Sequence, residues 1–320
     1  MCYATQARVA PPEGTDVVLF DVLYVVVAVV ALWFGADQFV TGASRVARRL
    51  GVPGLVIGLT VVAFGTSAPE FAVTIDAALA GQSDISVANV VGSNILNLGF
   101  ILGGVALVRA MAVSRTLVRR DGLLLVASTV LLLVVALDGR LSAVEGGLLF
   151  ASLLAYLVAL ARAGSDGAAT ATDQFHAPDV GRLLVGLALV VGGGHLLVVS
   201  AVDIARVAGV SEWVIGLTIV AAGTSLPEFV TSLAAARAGR TGISAGNLVG
   251  SCIFNALGVL GLAALVNPLT VSPVGVEGTA WLLGTTVLVV VLFYTEETLS
   301  RIEGGLLVAL NAANWLLNLL

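Results

Sequence analysis

An internal duplication constrains this chain more than any other feature of its sequence. When the 320-residue sequence is compared with itself at a shift of 158 residues, Gly58–Asn97 matches Gly216–Asn255 without a gap, with 23 of 40 positions identical. The identical positions include Gly, Thr, Ser, Pro, Glu and Asn, which chance similarity between two apolar stretches would not reproduce. The chain therefore consists of two homologous halves, and each half carries the same polar motif.

Both copies lie in a chain that is too apolar for a soluble fold. The sequence is 58% apolar and 11% charged, whereas soluble domains average about 45–50% apolar and about 25% charged residues. This composition excludes soluble enzymes, nucleic-acid-binding proteins and disordered proteins. Because one membrane-spanning helix needs roughly 20 apolar residues, we predict ten spans, at 17–43, 54–80, 86–108, 121–137, 142–161, 181–205, 213–236, 243–265, 278–294 and 303–320.

Five predicted spans fall in each half, and this odd number decides the architecture. A second copy that follows five spans enters the membrane in the opposite sense, which is the inverted-topology plan of secondary transporters. We therefore predict an all-α polytopic membrane protein with two inverted five-helix repeats and broken helices at an ion site. The predicted parts are an extracytoplasmic tail (1–16), a first repeat (17–162), a cytoplasmic linker (163–179) and a second repeat (180–320).

The arginines predict the orientation of these spans. If the N-terminus defines one side of the membrane, that side holds three of the 15 basic residues, Arg8, Arg140 and Arg206, and the other side holds twelve. Positive residues are enriched in cytoplasmic loops. We therefore expect a multi-pass protein of the plasma (inner) membrane with both termini extracytoplasmic and the central linker in the cytoplasm.

Two glutamates, Glu70 and Glu228, occupy equivalent places deep in apolar segments of the two halves. A charged side chain at the centre of a membrane helix costs about 2.5–3.5 kcal/mol on insertion scales. Neither motif contains a Lys or Arg that would pair with its glutamate. The two acids therefore indicate a bound cation, and the alternative is a protonated glutamate that hydrogen-bonds a neighbouring helix.

The residues before each glutamate predict a broken helix. Gly65-Thr66-Ser67-Ala68-Pro69-Glu70 recurs as Gly223-Thr224-Ser225-Leu226-Pro227-Glu228. Proline removes an N–H and disrupts the preceding turn, and such breaks are tolerated in membranes where they line a polar cavity; ordinary bending is the alternative. We expect the break to free carbonyl oxygens at Ala63, Phe64, Ala221 and Ala222. On a helix, Thr66, Ser67 and Glu70 would share a face.

A stripe of amides and hydroxyls follows each glutamate. Asn89, Ser93 and Asn97 are spaced i, i+4, i+8, and the second half repeats this with Asn247, Ser251 and Asn255. Each trio lines one face of a helix, and every member offers an oxygen. For Asn89 and Asn247, hydrogen bonding between helices is the alternative reading. No His or Cys recurs in both motifs, and oxygen ligands favour Ca²⁺, Na⁺ or Mg²⁺ over Zn²⁺ or Cu⁺. The mixture of carboxylates, hydroxyls and carbonyls suits Ca²⁺ best.

The paired GTSxPE segments, each followed by a GNxxGSxxxN-like segment, resemble the two signature repeats of the cation/calcium exchanger superfamily, in particular prokaryotic sodium/calcium exchanger-like antiporters. In the first copy, Ala88 stands where the second has Gly246. The resemblance implies an antiporter, not an enzyme, that moves Ca²⁺ against Na⁺ or H⁺ while spans one and six slide across the rest. It implies these cation ligands: Ala63, Thr66, Ser67, Glu70, Ser93, Asn97, Ala221, Thr224, Ser225, Glu228, Ser251 and Asn255.

Asparagine stands at both ends of the stripes, where some relatives have one aspartate, so the site carries at most two negative charges. Na⁺ and H⁺ both stay open as the coupling ion, and a cation channel is a weaker alternative because channels need a continuous pore. We expect Ca²⁺ and Na⁺ as transported ions, no organic cofactor, no nucleic-acid partner, and a monomer that suffices for transport. The roles of Asp37, its repeat equivalent His195, and Asp76 stay open.

Overall fold

The structure is a computed structural model that describes residues 14–166, 177–209 and 221–319. Its first half contains α1 (Gly14–Arg49), α2 (Gly54–Ile57), α3 (Ala63–Thr66), α4 (Ala68–Leu79), α5 (Ser83–Ile95), α6 (Leu102–Val108), α7 (Leu123–Ala136) and α8 (Ala143–Asp166). The second half contains α9 (Ala177–Val207), α10 (Ala221–Gly223), α11 (Leu226–Arg237), α12 (Thr241–Ile253), α13 (Leu260–Val266), α14 (Pro273–Glu296) and α15 (Arg301–Leu319). Segments of π-helix occupy Gly58–Val62, Leu96–Ile101, Leu117–Gly122 and Phe254–Val259.

Among the described residues, six helices are long and apolar enough to cross a membrane, and a seventh is added if one bent pair counts as a single span. The six are Phe20–Arg49, Ser83–Val108, Ala143–Arg162, Ala177–Val207, Thr241–Val266 and Pro273–Thr295, and the bent pair is Leu55–Thr66 with Ala68–Leu79. These helices make the chain a helical membrane protein, as its composition predicts.

Helices overlap the ends of the predicted tail and of the predicted linker. Helix α1 already begins at Gly14, inside the predicted tail 1–16, whose residues 1–13 lie outside the described part. Helix α8 continues to Asp166 and α9 begins at Ala177, so both ends of the predicted linker 163–179 are helical. Polar composition suggested a loop there, but Pro178 and Asp179 suit the first turn of a helix, where an N–H is dispensable and a carboxylate is favourable.

Helices α1 and α9 pack along each other as a pair. Their contact is close because glycines face the opposing backbone: a Cβ atom on Gly42 would lie 2.6 Å from the backbone nitrogen of Leu183, and one on Gly186 would overlap the backbone of Phe39. Asp179 joins the same two helices by ion pairs, at 3.2 Å to Arg45 and 2.8 Å to Arg49. The carboxylate is buried while both guanidinium groups reach solvent. These two ion pairs, named the Asp179 clamp, therefore lie at one end of the two packed helices.

Four two-residue strands connect the halves. They are β1 (Met111–Ala112), β2 (Arg140–Leu141), β3 (Leu269–Thr270) and β4 (Thr298–Leu299), and β1 pairs with β4 while β2 pairs with β3, both antiparallel. Strands β3 and β4 are the repeat equivalents of β1 and β2. Because β1 precedes α7 and β2 follows it, β1 and its equivalent β3 lie at opposite ends of that helix.

The second motif helix lies at the centre of the molecule. From Ile243 to Ile253 every residue of α12 is buried. Glycines again allow this packing, because a Cβ on Gly246 would lie 2.7 Å from the carbonyl oxygen of Leu55, and one on Gly250 would lie 2.8 Å from Cα of Leu59. The broken helix of the first half therefore packs directly on the motif helix of the second, which brings the two motifs together.

Candidate cation site

The first motif helix breaks at Ser67, as its sequence predicts. The segment Leu55–Thr66 and the helix Ala68–Leu79 are bent by 50°, and Ser67 leaves helical geometry with φ −79° and ψ 9°. In the second half, α11 also begins directly after a non-helical serine, Ser225, with φ −89° and ψ 6°. Each glutamate therefore lies in the first turn of a new helix, where the exposed N–H groups favour a negative charge.

The two glutamates are bound to each other's half by crossed hydrogen bonds. Ser67 Oγ donates to Glu228 Oε1 at 3.0 Å, and Ser225 Oγ donates to Glu70 Oε1 at 3.0 Å. Both carboxylates are 0% exposed. Residues separated by more than 150 positions thus form one site, and each half supplies the hydroxyl that holds the carboxylate of the other.

Helices α5 and α12 line the same site. Ser251 Oγ donates to Glu228 Oε1 at 3.4 Å, and Ser93, Asn97 and Asn255 are buried on the equivalent faces. Several buried oxygens have no hydrogen-bond partner: Glu70 Oε2, Glu228 Oε2, Thr224 Oγ1, Asn97 Oδ1 and Asn255 Oδ1. Unpartnered buried polar atoms cost free energy and need an explanation. A cation coordinated by these oxygens would supply the missing partner.

Negative charge in this part of the molecule is limited to the two carboxylates. Within the described residues, no three His, Cys, Asp or Glu side chains come together as metal ligands. The donor set is therefore two carboxylates among neutral hydroxyl and amide oxygens. Such hard oxygen donors suit Ca²⁺ and Na⁺.

Two details of the predicted first motif are wrong. The carbonyl oxygen of Ala63 is not free, because it accepts hydrogen bonds from Ser67 N at 3.0 Å and from Thr66 Oγ1 at 3.3 Å. The N–H that Pro69 lacks is the one that would have bonded Gly65 in a continuous helix, so the proline leaves Ala63 bonded. Its equivalent, Ala221, begins the short helix Ala221–Gly223.

Thr66, Ser67 and Glu70 also do not share the face of one helix, because the chain turns at Ser67. Thr66 Oγ1 instead contacts Asn247 Oδ1 at 3.1 Å. The three side chains therefore reach the second half through three different contacts rather than as one row.

Asn89 and Asn247 make hydrogen bonds to neighbouring helices, which is the alternative that their sequence positions left open. Asn89 Nδ2 donates to Thr74 Oγ1 at 2.9 Å and to the carbonyl oxygen of Glu70 at 3.2 Å. Asn247 Nδ2 makes the equivalent bonds to Ser232 Oγ at 2.9 Å and to the carbonyl oxygen of Glu228 at 3.4 Å. These amides fix the turn that carries each glutamate. Thr74 and Ser232 are not among the predicted site residues, although both carry hydroxyls and stand at equivalent positions of the repeat, 158 residues apart.

Comparison with known proteins decides the family. The family model described as sodium/calcium exchanger protein matches residues 20–162 and 179–319, which is most of the chain. The chain belongs to the sodium/calcium exchanger family. The match confirms the resemblance that the paired motifs show. The protein is therefore a cation/Ca²⁺ antiporter with a helical membrane fold.

Individual relatives cover most of the exchanger. This chain is 32% identical to the sodium/calcium exchanger MaX1 of Methanosarcina acetivorans, over 89% of this chain and 94% of that protein. It is 38% identical to the inner membrane protein YrbG of Escherichia coli, over 78% and 80% of the two chains. A structure of the sodium-calcium exchanger NCX_Mj, soaked with Na⁺ and Sr²⁺, matches with a TM-score of 0.84 and 33% identity, over 92% of this chain and 97% of that chain.

Three further polar residues lie at the surface of the exchanger. Asp37 is exposed on α1 and lines an apolar cavity of about 530 Å³ together with Trp33 and Arg237. Its repeat equivalent His195 is exposed on α9, and Asp76 is exposed on α4. The structure therefore separates these side chains from the buried oxygens around Glu70 and Glu228.

Proposed function

We propose that this exchanger moves Ca²⁺ across the membrane in exchange for Na⁺ by alternating access. The observation that carries the proposal is the pair of buried carboxylates, Glu70 and Glu228, each bonded by a serine of the other half and each left with an unpartnered oxygen. Two carboxylates balance the charge of one Ca²⁺. Ca²⁺ also accepts irregular coordination by six to eight oxygens, which the nearby hydroxyls and amides can complete.

The proposed ligands are side-chain oxygens from both halves: Thr66, Ser67, Glu70, Ser93 and Asn97 from the first, and Thr224, Ser225, Glu228, Ser251 and Asn255 from the second. The carbonyl oxygens of Ala63 and Ala221 are further proposed ligands, and that of Ala63 also accepts hydrogen bonds from Ser67 N and Thr66 Oγ1. Because most of these oxygens are neutral, they also suit Na⁺ once Ca²⁺ has left. The names of related exchangers support Na⁺ as the counter-ion.

Proton coupling is the alternative. Each carboxylate bonds serine through Oε1 only, and its buried Oε2 is without a partner. A proton bound at Oε2 would neutralise each glutamate after Ca²⁺ leaves. Calcium uptake driven by a pH gradient alone distinguishes this alternative from Na⁺ coupling.

For the architecture we propose ten spans in two inverted repeats. The three spans beyond the seven candidates are α7 with its π segment, α11 with the short helix α10 before it, and α15. Opposite orientation of the halves is supported by the strands: equivalent strands β1 and β3 lie at opposite ends of α7 and each pairs with the non-equivalent strand of the other half. A parallel repeat would bring equivalent strands to the same end.

We further propose a plasma membrane location with both termini outside. Within this protein, we propose that α1 and α9 are the helices that move. Their glycine-rich contact and the Asp179 clamp make them a unit. This unit touches the broken helix through apolar groups, because a Cβ on Gly65 would lie 3.0 Å from Leu187 and 3.4 Å from Phe39. Apolar contacts carry no directional bonds that would have to break during sliding.

The test is uptake of radioactive calcium into proteoliposomes that contain the purified exchanger. Separate samples carry an outward Na⁺ gradient, an outward proton gradient, or no gradient. We expect uptake only with the Na⁺ gradient, and we expect Glu70→Gln and Glu228→Gln to abolish it. Asp76→Asn is the matched control, because it removes an exposed carboxylate from the same helix as Glu70, and we expect it to transport normally.

Each other result has a definite meaning. Uptake with the proton gradient alone would replace Na⁺ by H⁺ as the coupling ion. Rapid Ca²⁺ entry without any opposing gradient would indicate a channel. Normal exchange by either glutamine variant would contradict the proposed site.

A further inference from the structure

The two halves meet where their sequences differ. Asn94 and Cys252 are repeat equivalents, 158 residues apart, and they lie against each other in the interior. Asn94 Nδ2 donates to the carbonyl oxygen of Cys252 at 3.0 Å, and Cys252 Sγ donates to the carbonyl oxygen of Asn94 at 3.8 Å. The backbone contacts are thus reciprocal, whereas one side chain is an amide and the other is a thiol.

The amide of Asn94 has only one orientation that satisfies this contact. A backbone carbonyl only accepts hydrogen bonds, so Nδ2 of Asn94 must face Cys252 and Oδ1 must face the other way. There Oδ1 accepts a hydrogen bond from Asn255 Nδ2 at 3.2 Å. The orientation of Asn255 is therefore set in turn, because its donor faces Asn94 and its Oδ1 faces away.

Asn255 Oδ1 is buried and has no protein partner. Asn255 follows Ser251 by four residues on the same helical segment, and Ser251 Oγ donates to Glu228. Side chains four residues apart share a helix face. The fixed amide of Asn255 therefore presents its oxygen, and not its NH₂ group, on the helix face from which Ser251 contacts Glu228.

The first half lacks this arrangement. The residue equivalent to Asn255 is Asn97, and the residue equivalent to Asn94 is Cys252. A thiol is a weak donor and a weak acceptor, and that of Cys252 already donates to a backbone carbonyl. Oδ1 and Nδ2 of Asn97 are buried without a partner at ordinary hydrogen-bond geometry, and the contact of its amide with the Cys252 sulfur is a weak one.

We propose that Asn94 is a positioning residue that holds Asn255 with its oxygen toward the transported cation, while the amide of Asn97 is held only weakly by the sulfur of Cys252. The cation site is then asymmetric: the second half supplies a fixed neutral ligand and the first half an adjustable one. This inference rests on the proposed function, because it assigns Asn94 a role in the affinity of the same site.

The first variant is Asn94→Cys, which places at this position the residue that the second half already uses. Asn255 loses its partner, and its NH₂ group can then turn toward the cation. We expect the Ca²⁺ concentration for half-maximal exchange to rise about tenfold, as for loss of one well-placed polar contact, with the maximal rate within about twofold of the wild type.

The matched control is Asn311→Cys. Asn311 is also a buried amide with two contacts, since its Nδ2 donates to the carbonyl oxygen of Leu307 at 2.9 Å and its Oδ1 accepts from Trp281 Nε1 at 3.2 Å. It lies outside the cation site, and we expect its half-maximal Ca²⁺ concentration to equal that of the wild type. A general loss of buried hydrogen bonds would affect both variants alike.

The decisive variant exchanges the two residues, combining Asn94→Cys with Cys252→Asn. It keeps both residue types at the contact and so keeps the packed volume, but the amide now stands beside Asn97 and fixes that side chain instead. We expect the half-maximal Ca²⁺ concentration to return to within about twofold of the wild type. A purely structural role of Asn94 instead predicts a lower melting temperature of Asn94→Cys with no change in its half-maximal Ca²⁺ concentration.

The proposal is overturned if Asn94→Cys keeps the wild-type half-maximal concentration, or if the exchanged pair shows the same loss as the single variant. If Asn94→Cys does not fold, the exchanged pair alone decides, since weak Ca²⁺ binding by a folded exchanged pair also overturns it. Absence of Ca²⁺ exchange in the wild-type protein would instead contradict the proposed function, which separates the two failures.

Discussion

At the scale of single residues, the hydroxyl groups of Ser67 and Ser225 each have two roles, as hydrogen-bond donors and as proposed cation ligands. Each donates a hydrogen bond to the glutamate of the other half, and each can offer its lone pairs to a cation. Bonds that involve a charged carboxylate are stronger than bonds between neutral groups. The serines therefore hold Glu70 and Glu228 in place inside an apolar interior, and they also tie the two broken helices to each other.

Ser67→Ala removes a hydroxyl that donates a hydrogen bond to Glu228 Oε1. The longer hydrogen bond from Ser251 Oγ to the same buried oxygen remains. A hydrogen bond to a charged group contributes about 1.5–3 kcal/mol, so we expect the half-maximal Ca²⁺ concentration to rise about tenfold or more. The measurement is Ca²⁺ uptake into proteoliposomes as a function of Ca²⁺ concentration. Ser152→Ala is the control, because the Ser152 hydroxyl is exposed and bonds only its own helix at Leu148. Equal affinities in the two variants would contradict the crossed hydrogen bonds.

Much of the site follows from sequence because its residues repeat. Glu70 and Glu228 are recognisable since a buried carboxylate without a basic neighbour needs compensation, and the duplication shows that the pattern is not accidental. The shared face of Thr66, Ser67 and Glu70 fails because it assumes a continuous helix across the very break that the proline predicts. The contact between Asn94 and Cys252 was not predictable, since the repeat marks that position only as a mismatch.

At the scale of secondary-structure elements, the helices of the exchanger meet through small residues. Without a hydrophobic driving force between helices in lipid, close packing of backbones contributes much of the association. Gly35, Gly42, Gly186 and Gly193 serve this purpose between α1 and α9, and Gly246 and Gly250 serve it between α12 and the first broken helix. Apolar periodicity locates such helices, but it does not say which glycines face a neighbour.

Two glycines of α9 test this packing. Gly186→Ala places a methyl group against the backbone of Phe39, and overpacking of this kind costs about 1–3 kcal/mol. Gly192→Ala has no atom within 4 Å of the new group and gains up to about 1 kcal/mol of helix propensity. In thermal unfolding of the detergent-solubilised protein, we expect a lower melting temperature for Gly186→Ala and an unchanged or higher one for Gly192→Ala. The reverse order would contradict the close contact between α1 and α9.

Helix boundaries were less predictable than helix positions. The linker appeared polar from Ala163 to Asp179, yet α8 and α9 extend into it from both sides. Helices α8 and α15 both begin with a capping box that composition alone does not reveal: Glu145 accepts from the backbone nitrogen of Ser142 at 2.8 Å, and Glu303 from that of Ser300 at 2.7 Å. These pairs are repeat equivalents, so comparison of the halves at this place would have found them.

At the scale of the whole molecule, the proposed inverted repeat explains why one protein can present one site to two sides. Equivalent elements that run in opposite directions would give the two faces of the membrane similar surroundings, and the proposed shift of α1 and α9 would open the site to one face or the other. The odd number of predicted spans per half pointed to this from sequence. The pairing of β1 with β4 and of β2 with β3 supports it from contacts that no sequence pattern predicts.

The proposed orientation has its own test. In a protein whose Cys2 is replaced by Ser, single cysteines are introduced as Asp138→Cys, in the turn after α7, and as Thr172→Cys, in the central linker. Intact cells are treated with a thiol reagent that does not cross membranes. Because twelve of 15 arginines predict a cytoplasmic linker, we expect labelling at position 138 and none at position 172 until the cells are opened. The opposite pattern would place both termini in the cytoplasm.

The most direct measurement of the proposed site is a crystal structure of the exchanger soaked with Sr²⁺, a heavier analogue of Ca²⁺ whose anomalous scattering marks its position. We predict one strong anomalous peak between Glu70 and Glu228, with Oε2 of both carboxylates and Oδ1 of Asn255 at roughly 2.3–2.6 Å, the range of Ca²⁺–oxygen bonds. In Glu70→Gln crystals the peak should be lost or much weaker. A wild-type peak elsewhere, or an unchanged peak in the variant, would contradict the assignment of these carboxylates as the ligands of the transported ion.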